Sequence, residues 1–218
     1  MTTVDRRSAS KLVLWAAMSA AASGGVCAGQ EKSGEGTAAA TYSEMLARVQ
    51  KGDLAVDFGA FRIAGTEQSA NASMRETVER AAFKKLAAAG DWAGALDSAK
   101  HALERNYASP IAHFNAMTAY QNLGKPDEAA FHEKILNAML DSIGQSGDGK
   151  GPQTAYVVVT VQEEYIFMNR TLHLRPTGQG LVQQGKHAYD RLTVADPATG
   201  QSQDIWFNID IDFGQALK

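Results

Sequence analysis

The chain has 218 residues, of which 44% are apolar and 21% are charged, as is ordinary for a soluble globular protein. Its formal net charge of −3 argues against a nucleic-acid-binding protein, since such proteins usually carry a basic excess on one face. We therefore expect no nucleic-acid partner. The length is sufficient for one large domain or two small ones with a real core.

The first 28 residues are typical of a secretory signal peptide. Three basic residues precede an apolar run at 12–22, and small residues precede a cleavage site after Ala28. The apolar run is too short for a membrane span, so we expect none in the mature chain. These features predict a periplasmic or secreted protein without a cysteine, and hence without a disulfide or a thiol nucleophile.

Two alternatives for export stay open. Arg6 and Arg7 with Lys11 resemble a twin-arginine signal, although the apolar pair that follows such a motif is missing. The second alternative is that Cys27 is a lipid-attachment site, but the residue before it is Val26, where a small residue is expected.

A small, polar stretch at 29–40 predicts a disordered leader before the fold begins. Thr41 and Glu44 have the spacing of a capping box, so a helix is predicted from there to Gly52. The aromatic segment 57–63 is expected to pack on the helices, in a conformation that the sequence leaves open.

An internal repeat organises the next part of the chain. Gly90 corresponds to Gly124 and Trp92 to Pro126, each 34 residues apart, the period of the tetratricopeptide unit of two antiparallel helices. We predict four helices: from Asn71 or Ser73 to Gly90, over 92–105, from Pro110, and over 126–143. The helical region is thus expected to span residues 41–143.

Apolar spacing predicts which side of each helix faces inward. In the first helix of the repeat the predicted inward residues are Met74, Val78, Ala81, Ala82, Leu86 and Ala89. In the second they are Ala95, Leu96, Ala99, Ala102 and Leu103, and in the fourth Ala129, Leu136, Met139 and Leu140.

The pattern changes at residues 144–153, where four glycines and a proline indicate a linker. Residues 154–218 are predicted to form a sheet packed on the helices. A central strand is expected at 154–161, a short helix at 162–170, strands at 172–175, 180–184 and 186–195, a hairpin loop at 196–200, and a strand at 203–213. The predicted fold class is α+β: tetratricopeptide-like antiparallel helical hairpins followed by a small, mostly antiparallel β-sheet.

Short strings along the chain are similar to those of a known family. They are Asp57-Phe58 with Phe61-Arg62, Ala112-His113, Ala130-Phe131-His132, Leu140-Asp141-Ser142-Ile143, Ser146-Gly147-Asp148-Gly149-Lys150, Thr154-Ala155-Tyr156-Val157-Val158, Glu163-Glu164-Tyr165 and Phe207-Asn208-Ile209-Asp210. From about Tyr42 onward the chain resembles a bacterial family called domain of unknown function 4919. This resemblance implies an exported protein of helices plus a sheet, and it implies no activity.

Two sets of residues are candidates for catalysis. His113 and His132 lie on predicted adjacent antiparallel helices at similar heights, so they are candidates for an acid–base or metal pair. Asp148, Lys150, Glu163 and Glu164 surround the predicted helix–sheet junction, where carboxylates and a lysine can perform acid–base chemistry. Each set also has a structural interpretation. The two histidines can be hydrogen-bonded residues within the hairpins, and the charged residues can form a salt-bridged hinge between helices and sheet.

The concave surface of the hairpins is the main candidate for binding. By analogy with tetratricopeptide repeats, the first helix of each pair lines a groove that holds extended peptides. The predicted groove residues are Arg80, Lys84, Phe114, Thr118 and Gln121. Because Arg80 and Lys84 are basic, an acidic segment or a carboxylate terminus is the expected ligand.

The sequence carries no Ser/His/Asp, Cys/His or metal-ligand motif, and we expect no cofactor and no metal. We therefore predict a non-enzymatic protein-binding or scaffolding module whose partner is a peptide or another envelope protein. The alternative is a hydrolase or metal-dependent enzyme at the helix–sheet junction. A third hypothesis, a role in a bacterial antagonism or immunity pair, is based on size and export only.

Overall fold

The computed structural model describes residues 35–68, 71–195 and 200–216. The predicted signal peptide, Cys27 and most of the predicted hairpin loop lie outside the described residues. Over the described part the chain has eight α-helices and one four-stranded sheet. All four strands lie in the second half of the chain, so the predicted α+β class is confirmed.

Two helices precede the repeat. Helix α1 runs over Glu35–Val49 and α2 over Phe58–Glu67. Helix α1 begins at Glu35, within the predicted leader of residues 29–40, where the run of three alanines before Thr41 favours helix. The aromatic segment is helical from Phe58, and Asp57 caps it by accepting a hydrogen bond from the backbone N–H of Ala60 at 2.9 Å.

The repeat forms two consecutive antiparallel hairpins, as predicted. The first consists of α3 (Ala72–Ala88) and α4 (Trp92–Arg105), the second of α5 (Pro110–Asn122) and α6 (Pro126–Gly144). Gly90 and Gly124 occupy equivalent turns with φ of +73° and +69°, a conformation that favours glycine. The predicted inward residues of α4 and α6 are all buried.

The prediction of which side of α3 faces inward is wrong. Met74 and Val78 are 64% and 65% exposed, and the side chains that α3 buries are Ala72, Glu76 and Phe83. In a longer array the exposed side would contact the preceding repeat. No helix among the described residues covers it here, so this apolar side of α3 faces solvent.

The second half of the chain supplies one helix, a sheet and a last short helix. These are β1 (Tyr156–Val157), α7 (Val161–Arg170), β2 (Pro176–Gln184), β3 (His187–Ala195), β4 (Ser202–Asn208) and α8 (Asp210–Ala216). The strand order is β1-β4-β3-β2, with β1 parallel to β4 and the other pairs antiparallel. The predicted short helix and the β3 strand are confirmed.

Three strand predictions need correction. The predicted central strand at 154–161 is a two-residue edge strand, in which Tyr156 and Val157 are in register with β4. Val158 donates one more backbone hydrogen bond to Asn208, and the side chains of Val158 and Val159 are buried in the core. Residues 172–175 form no strand, and β2 begins at Pro176. The last strand ends at Asn208, where the side chain of Asn208 accepts a hydrogen bond from the N–H of Asp210 at 3.0 Å and α8 begins.

One apolar cluster joins the second hairpin to the sheet. It contains Ile111, Met117, Ala129, Leu136, Leu140, Ile143, Tyr156, Val158, Ile166, Phe167, Met168, Ala188, Leu192, Val194, Phe207 and Ile209. The opposite side of α6 packs on α1 and α2 through Ile135 and Met139. Helix α6 is therefore covered on both sides, and burial of this apolar surface is the main source of stability in this part of the fold.

No helix of the described residues is both long enough and apolar enough to cross a membrane.

Candidate ligand-binding groove

A groove of about 500 Å³ lies between the first helices of the two hairpins and α7. One wall comes from α3 and α5, and the other from α7 and the segment that leads into β2. The lining residues are Arg80, Phe83, Lys84, Ile111, Phe114, Asn115, Gln162, Tyr165, Ile166, Asn169, Arg170, Leu174, Arg175 and Pro176. The groove is of the size that ligand sites usually have, and most of its lining residues belong to helices.

The floor of the groove is apolar and its rim is cationic. Phe83 and Ile166 are buried, whereas Lys84 and Arg175 are exposed. Four lining residues carry a positive charge and none carries a carboxylate, in a chain whose formal net charge is −3. The groove is therefore a local positive region that attracts anionic groups.

The four cations differ in how they are held. Arg80 donates to Oε1 of Gln162 at 3.0 Å, which fixes its guanidinium between α3 and α7. The guanidinium of Arg170 lies 5.5 Å from the centre of the Phe114 ring, in cation–π geometry, and 3.8 Å from Glu133. Within the described residues Lys84 and Arg175 make no ion pair, so both are available to a ligand.

The structure places the predicted groove residues in two groups. Arg80, Lys84 and Phe114 line the groove. Thr118 and Gln121 continue the same side of α5, one and two turns beyond Phe114, and are not part of the groove wall. The Thr118 hydroxyl donates to the carbonyl of Phe114 at 2.8 Å, so it is already used within the helix.

The other wall of the groove could not be predicted from the repeat. Tyr165, Arg170 and Arg175 come from α7 and the segment after it, which pack against the hairpins only in the folded structure. The only sequence signal is the presence of two arginines five positions apart. By itself such a pair is more often part of a solvated surface.

Among the candidates for catalysis, Asp148 and Lys150 lie in an exposed loop. Their side chains form an ion pair at 3.1 Å and are 48% and 83% exposed. A hydrogen bond from the Thr154 hydroxyl, with others from Lys150, lowers the pKa of Asp148 to about 2. These contacts shape the loop, and the structure brings neither Asp148 nor Lys150 to the two histidines.

Glu163 is buried in the interior rather than in an open site. It forms an ion pair with Arg62 of α2, and both side chains are at most 2% exposed. Oε2 of Glu163 also accepts from the N–H of Val159 at 2.9 Å, and Arg62 donates to the Ser142 hydroxyl at 3.0 Å. The pair therefore connects α2, α6 and α7.

Glu164 is fully buried, and no donor group of the described residues supplies a hydrogen bond to either of its oxygens. Its polar neighbour is the Asp190 carboxylate of β3. Burial, and then the charge of Asp190, raise the pKa of Glu164 to about 9. A buried carboxyl with this pKa is protonated at neutral pH, so Glu164 is uncharged there and does not repel the Asp190 carboxylate.

A hydrogen-bonded chain connects this buried pair to the groove. The amide N–H of Gln179 donates to Oδ2 of Asp190 at 2.6 Å, and the hydroxyl of Tyr165 donates to Oε1 of Gln179 at 2.9 Å. Tyr165 lines the groove. The carboxyl pair thus orients one side chain of the groove wall through Gln179.

His113 and His132 meet, as their positions in the repeat predict. Nδ1 of His113 lies 2.9 Å from Nδ1 of His132, and Nε2 of His113 lies 2.9 Å from the carbonyl oxygen of Tyr107. Since a carbonyl only accepts, Nε2 of His113 carries the proton, and the bare Nδ1 accepts from Nδ1–H of His132. Neutral His132 is then left with a bare Nε2.

Comparison with known families gives a match over most of the chain. The sequence model of the family described as Domain of unknown function (DUF4919) matches residues 61–215, which is more than half of the chain. The chain belongs to the DUF4919 family. Comparison with curated proteins and with solved structures gives no significant match.

The DUF4919 match covers both walls of the groove and all the buried charged groups described above. It begins within α2, one residue before Arg62, and it ends within α8. Helix α1 lies before it. The hairpins, α7 and the sheet therefore form one family unit, in agreement with the apolar cluster that joins them.

In this DUF4919 protein the two histidines are expected to stay uncharged down to about pH 5. Burial, and for His113 also the neighbouring His132, lower their pKa values to about 3 and about 4. Both pKa values are below the unfolded one, so the contribution of these two histidines to stability is fully present above about pH 6.5 and is lost as pH falls through the folded values. Ring ¹⁵N NMR between pH 8 and pH 5 is expected to show constant shifts for both. Titration of either ring near pH 6.5 would show that burial does not lower its pKa.

Proposed function

We propose that this DUF4919 protein is a non-enzymatic binding module of the cell envelope that holds an extended acidic segment of a peptide or partner protein. The observation that carries the proposal is the cationic rim over an apolar floor, with no carboxylate among the lining residues. Carboxylates of a ligand can pair with Lys84 and Arg175, while its apolar side chains cover Phe83 and Ile166.

The geometry favours binding over catalysis in this groove. Arginine and lysine are donors only, and no lining residue is a histidine, aspartate or glutamate that could accept a proton from a substrate. Asn115, Asn169 and Gln162 add amide donors and acceptors, which suit the backbone of an extended chain. Location in the envelope is part of the proposal and is supported by the signal-like first 28 residues.

A pair of matched peptides tests the proposal. A fluorescently labelled peptide that alternates glutamate with leucine is compared with the same peptide carrying glutamine in place of glutamate. We expect the glutamate peptide to bind about tenfold more tightly at low salt, and the difference to shrink as salt screens the charges. Equal affinities, or no binding of the glutamate peptide, would reject the proposed ligand class.

Charge reversal locates the site. The double variant Lys84→Glu with Arg175→Glu is expected to lose about tenfold in affinity for the glutamate peptide, because two exposed ion pairs contribute up to about 1 kcal/mol each. The control is Lys51→Glu with Lys134→Glu, which changes the net charge equally at exposed positions outside the groove. If the control loses as much affinity, the effect is due to overall charge and not to the groove.

A further inference from the structure

A second cavity, of about 430 Å³, lies on the other side of the hairpins, between α1, α4 and α6. Its aromatic walls are Tyr42, Tyr107, Phe131 and His132, and Leu46 and Leu103 add apolar surface. It shares no residue with the cationic groove. The two cavities are therefore independent candidates for binding.

The rim of this cavity carries charges of both signs. Glu104 lies 3.1 Å from His101, and Arg105 pairs with Glu79. Lys100 is exposed to solvent. Because these charges largely compensate one another, the cavity does not select an anion as the groove does, and an uncharged ligand suits it best.

His132 supplies a directional polar group to these apolar walls. Its Nδ1–H is used by His113, and its ring stacks on Tyr120 with centroids 5.6 Å apart and planes 16° apart. Among the described residues nothing donates to Nε2 of His132, and this atom is not one of the buried unpartnered ones. His132 is a wall residue of the cavity, and its Nε2 therefore carries an unpaired lone pair that solvent can reach.

The direction of this lone pair is set by hydrogen bonds on the opposite edge of the ring. The Tyr107 carbonyl fixes the tautomer of His113, and His113 in turn fixes that of His132. The ring stacking on Tyr120 prevents free rotation of the imidazole. A ligand thus meets an acceptor that is already oriented, which lowers the entropy cost of binding.

We propose that Nε2 of His132 is the hydrogen-bond acceptor of a second ligand site, which takes an uncharged aromatic molecule carrying an N–H or O–H group. The ring of the ligand packs against Tyr42 and Phe131, and its donor points to Nε2. A ligand of the same shape that lacks the donor leaves this nitrogen without a partner or hydrogen-bonded to water, and so binds less tightly.

The test uses indole and 1-methylindole with the purified full-length chain. The two probes share the ring system, but only indole has an N–H, and the extra methyl group would by itself favour 1-methylindole through apolar burial. We expect indole to bind about three- to tenfold more tightly in a calorimetric or NMR titration, and to shift the ¹⁵N resonance of His132 Nε2, whereas 1-methylindole leaves that resonance in place.

A variant separates the acceptor from the walls. His132→Phe keeps a planar ring against Tyr120 and removes the acceptor, so the preference for indole over 1-methylindole is expected to disappear. Should this variant not fold, the wild-type titrations decide alone. Equal affinity of the two probes, binding of indole without a shift at His132 Nε2, or no saturable binding of indole would each overturn the proposal.

Discussion

Replacing Arg62 by methionine is expected to lower the free energy of unfolding by about 3–5 kcal/mol at pH 8, the typical cost of removing one partner of a buried ion pair. Glu163 would then carry its charge in the interior without a counter-ion. The Ser142 hydroxyl would lose its contact with the guanidinium as well. Urea unfolding followed by circular dichroism measures the loss.

Two comparisons show whether the unpaired charge is the cause. The double variant Arg62→Met with Glu163→Gln is expected to be more stable than Arg62→Met, because glutamine has no charge and its carbonyl can still accept from Val159. The single variant is expected to recover at pH 5. Burial already raises the pKa of Glu163 even beside Arg62, and without the guanidinium this pKa rises further, so the folded state binds a proton and the charge disappears. A double variant as unstable as the single one, at both pH values, would show that the loss comes from packing alone.

Replacing Glu164 by glutamine is expected to stabilise the protein by about 3 kcal/mol at pH 8. The folded pKa of about 9 lies above the ordinary value of 4.5, so the contribution of Glu164 to stability is fully present below about pH 4.5 and is lost as pH rises through 9. Glutamine has nearly the shape of the protonated carboxyl but carries no titratable group. The variant thus keeps the packing and removes the titration.

The measurement is the free energy of urea unfolding between pH 5 and pH 9. The wild type is expected to lose stability over this range, and Glu164→Gln to lose less. A residual slope is expected from Glu76, whose pKa burial raises to about 7 although Ser109 and Thr160 donate to it. The control Glu44→Gln, at an exposed position on α1, should follow the wild type. Parallel curves for wild type and Glu164→Gln would mean that Glu164 is ionised in the folded state.

Helix boundaries were predictable where local chemistry determines them. Helix α4 has its predicted bounds because Asp91 caps its first turn through the N–H of Gly94 at 2.9 Å. The same holds for α5, which Ser109 caps and Pro110 opens. These signals lie within a few residues of the helix end, so no tertiary information was needed.

Which side of α3 is buried depends on residues distant in sequence, so the spacing of its apolar residues could not predict it. Helix α3 turns Glu76 inward, where the hydroxyls of Ser109 and Thr160 donate to it. A glutamate normally marks a solvent side, whereas Met74 and Val78 mark a core side. Because no preceding repeat covers α3, the apolar side stays exposed and the pattern indicates the wrong side.

The sheet was predicted in class but not in detail, for a similar reason. The valines at 157–159 have the composition of a central strand, yet the backbone leaves β4 after residue 158 to begin α7.

Of the two walls of the groove, the repeat predicted the one made by α3 and α5. The wall made by α7 depends on the packing of the second half of the chain, which no local pattern records.

The ion pair between Arg62 and Glu163 joins residues that are 101 positions apart. A ribosome releases both hairpins before it releases Glu163, and well before β4 can cover the sheet-facing side of α6. During that interval Arg62 has no counter-ion, and Leu136, Leu140 and Ile143 lack their apolar cover. The nascent chain is therefore expected to need a chaperone until β4 has been synthesised, and truncation before β4 should yield insoluble protein.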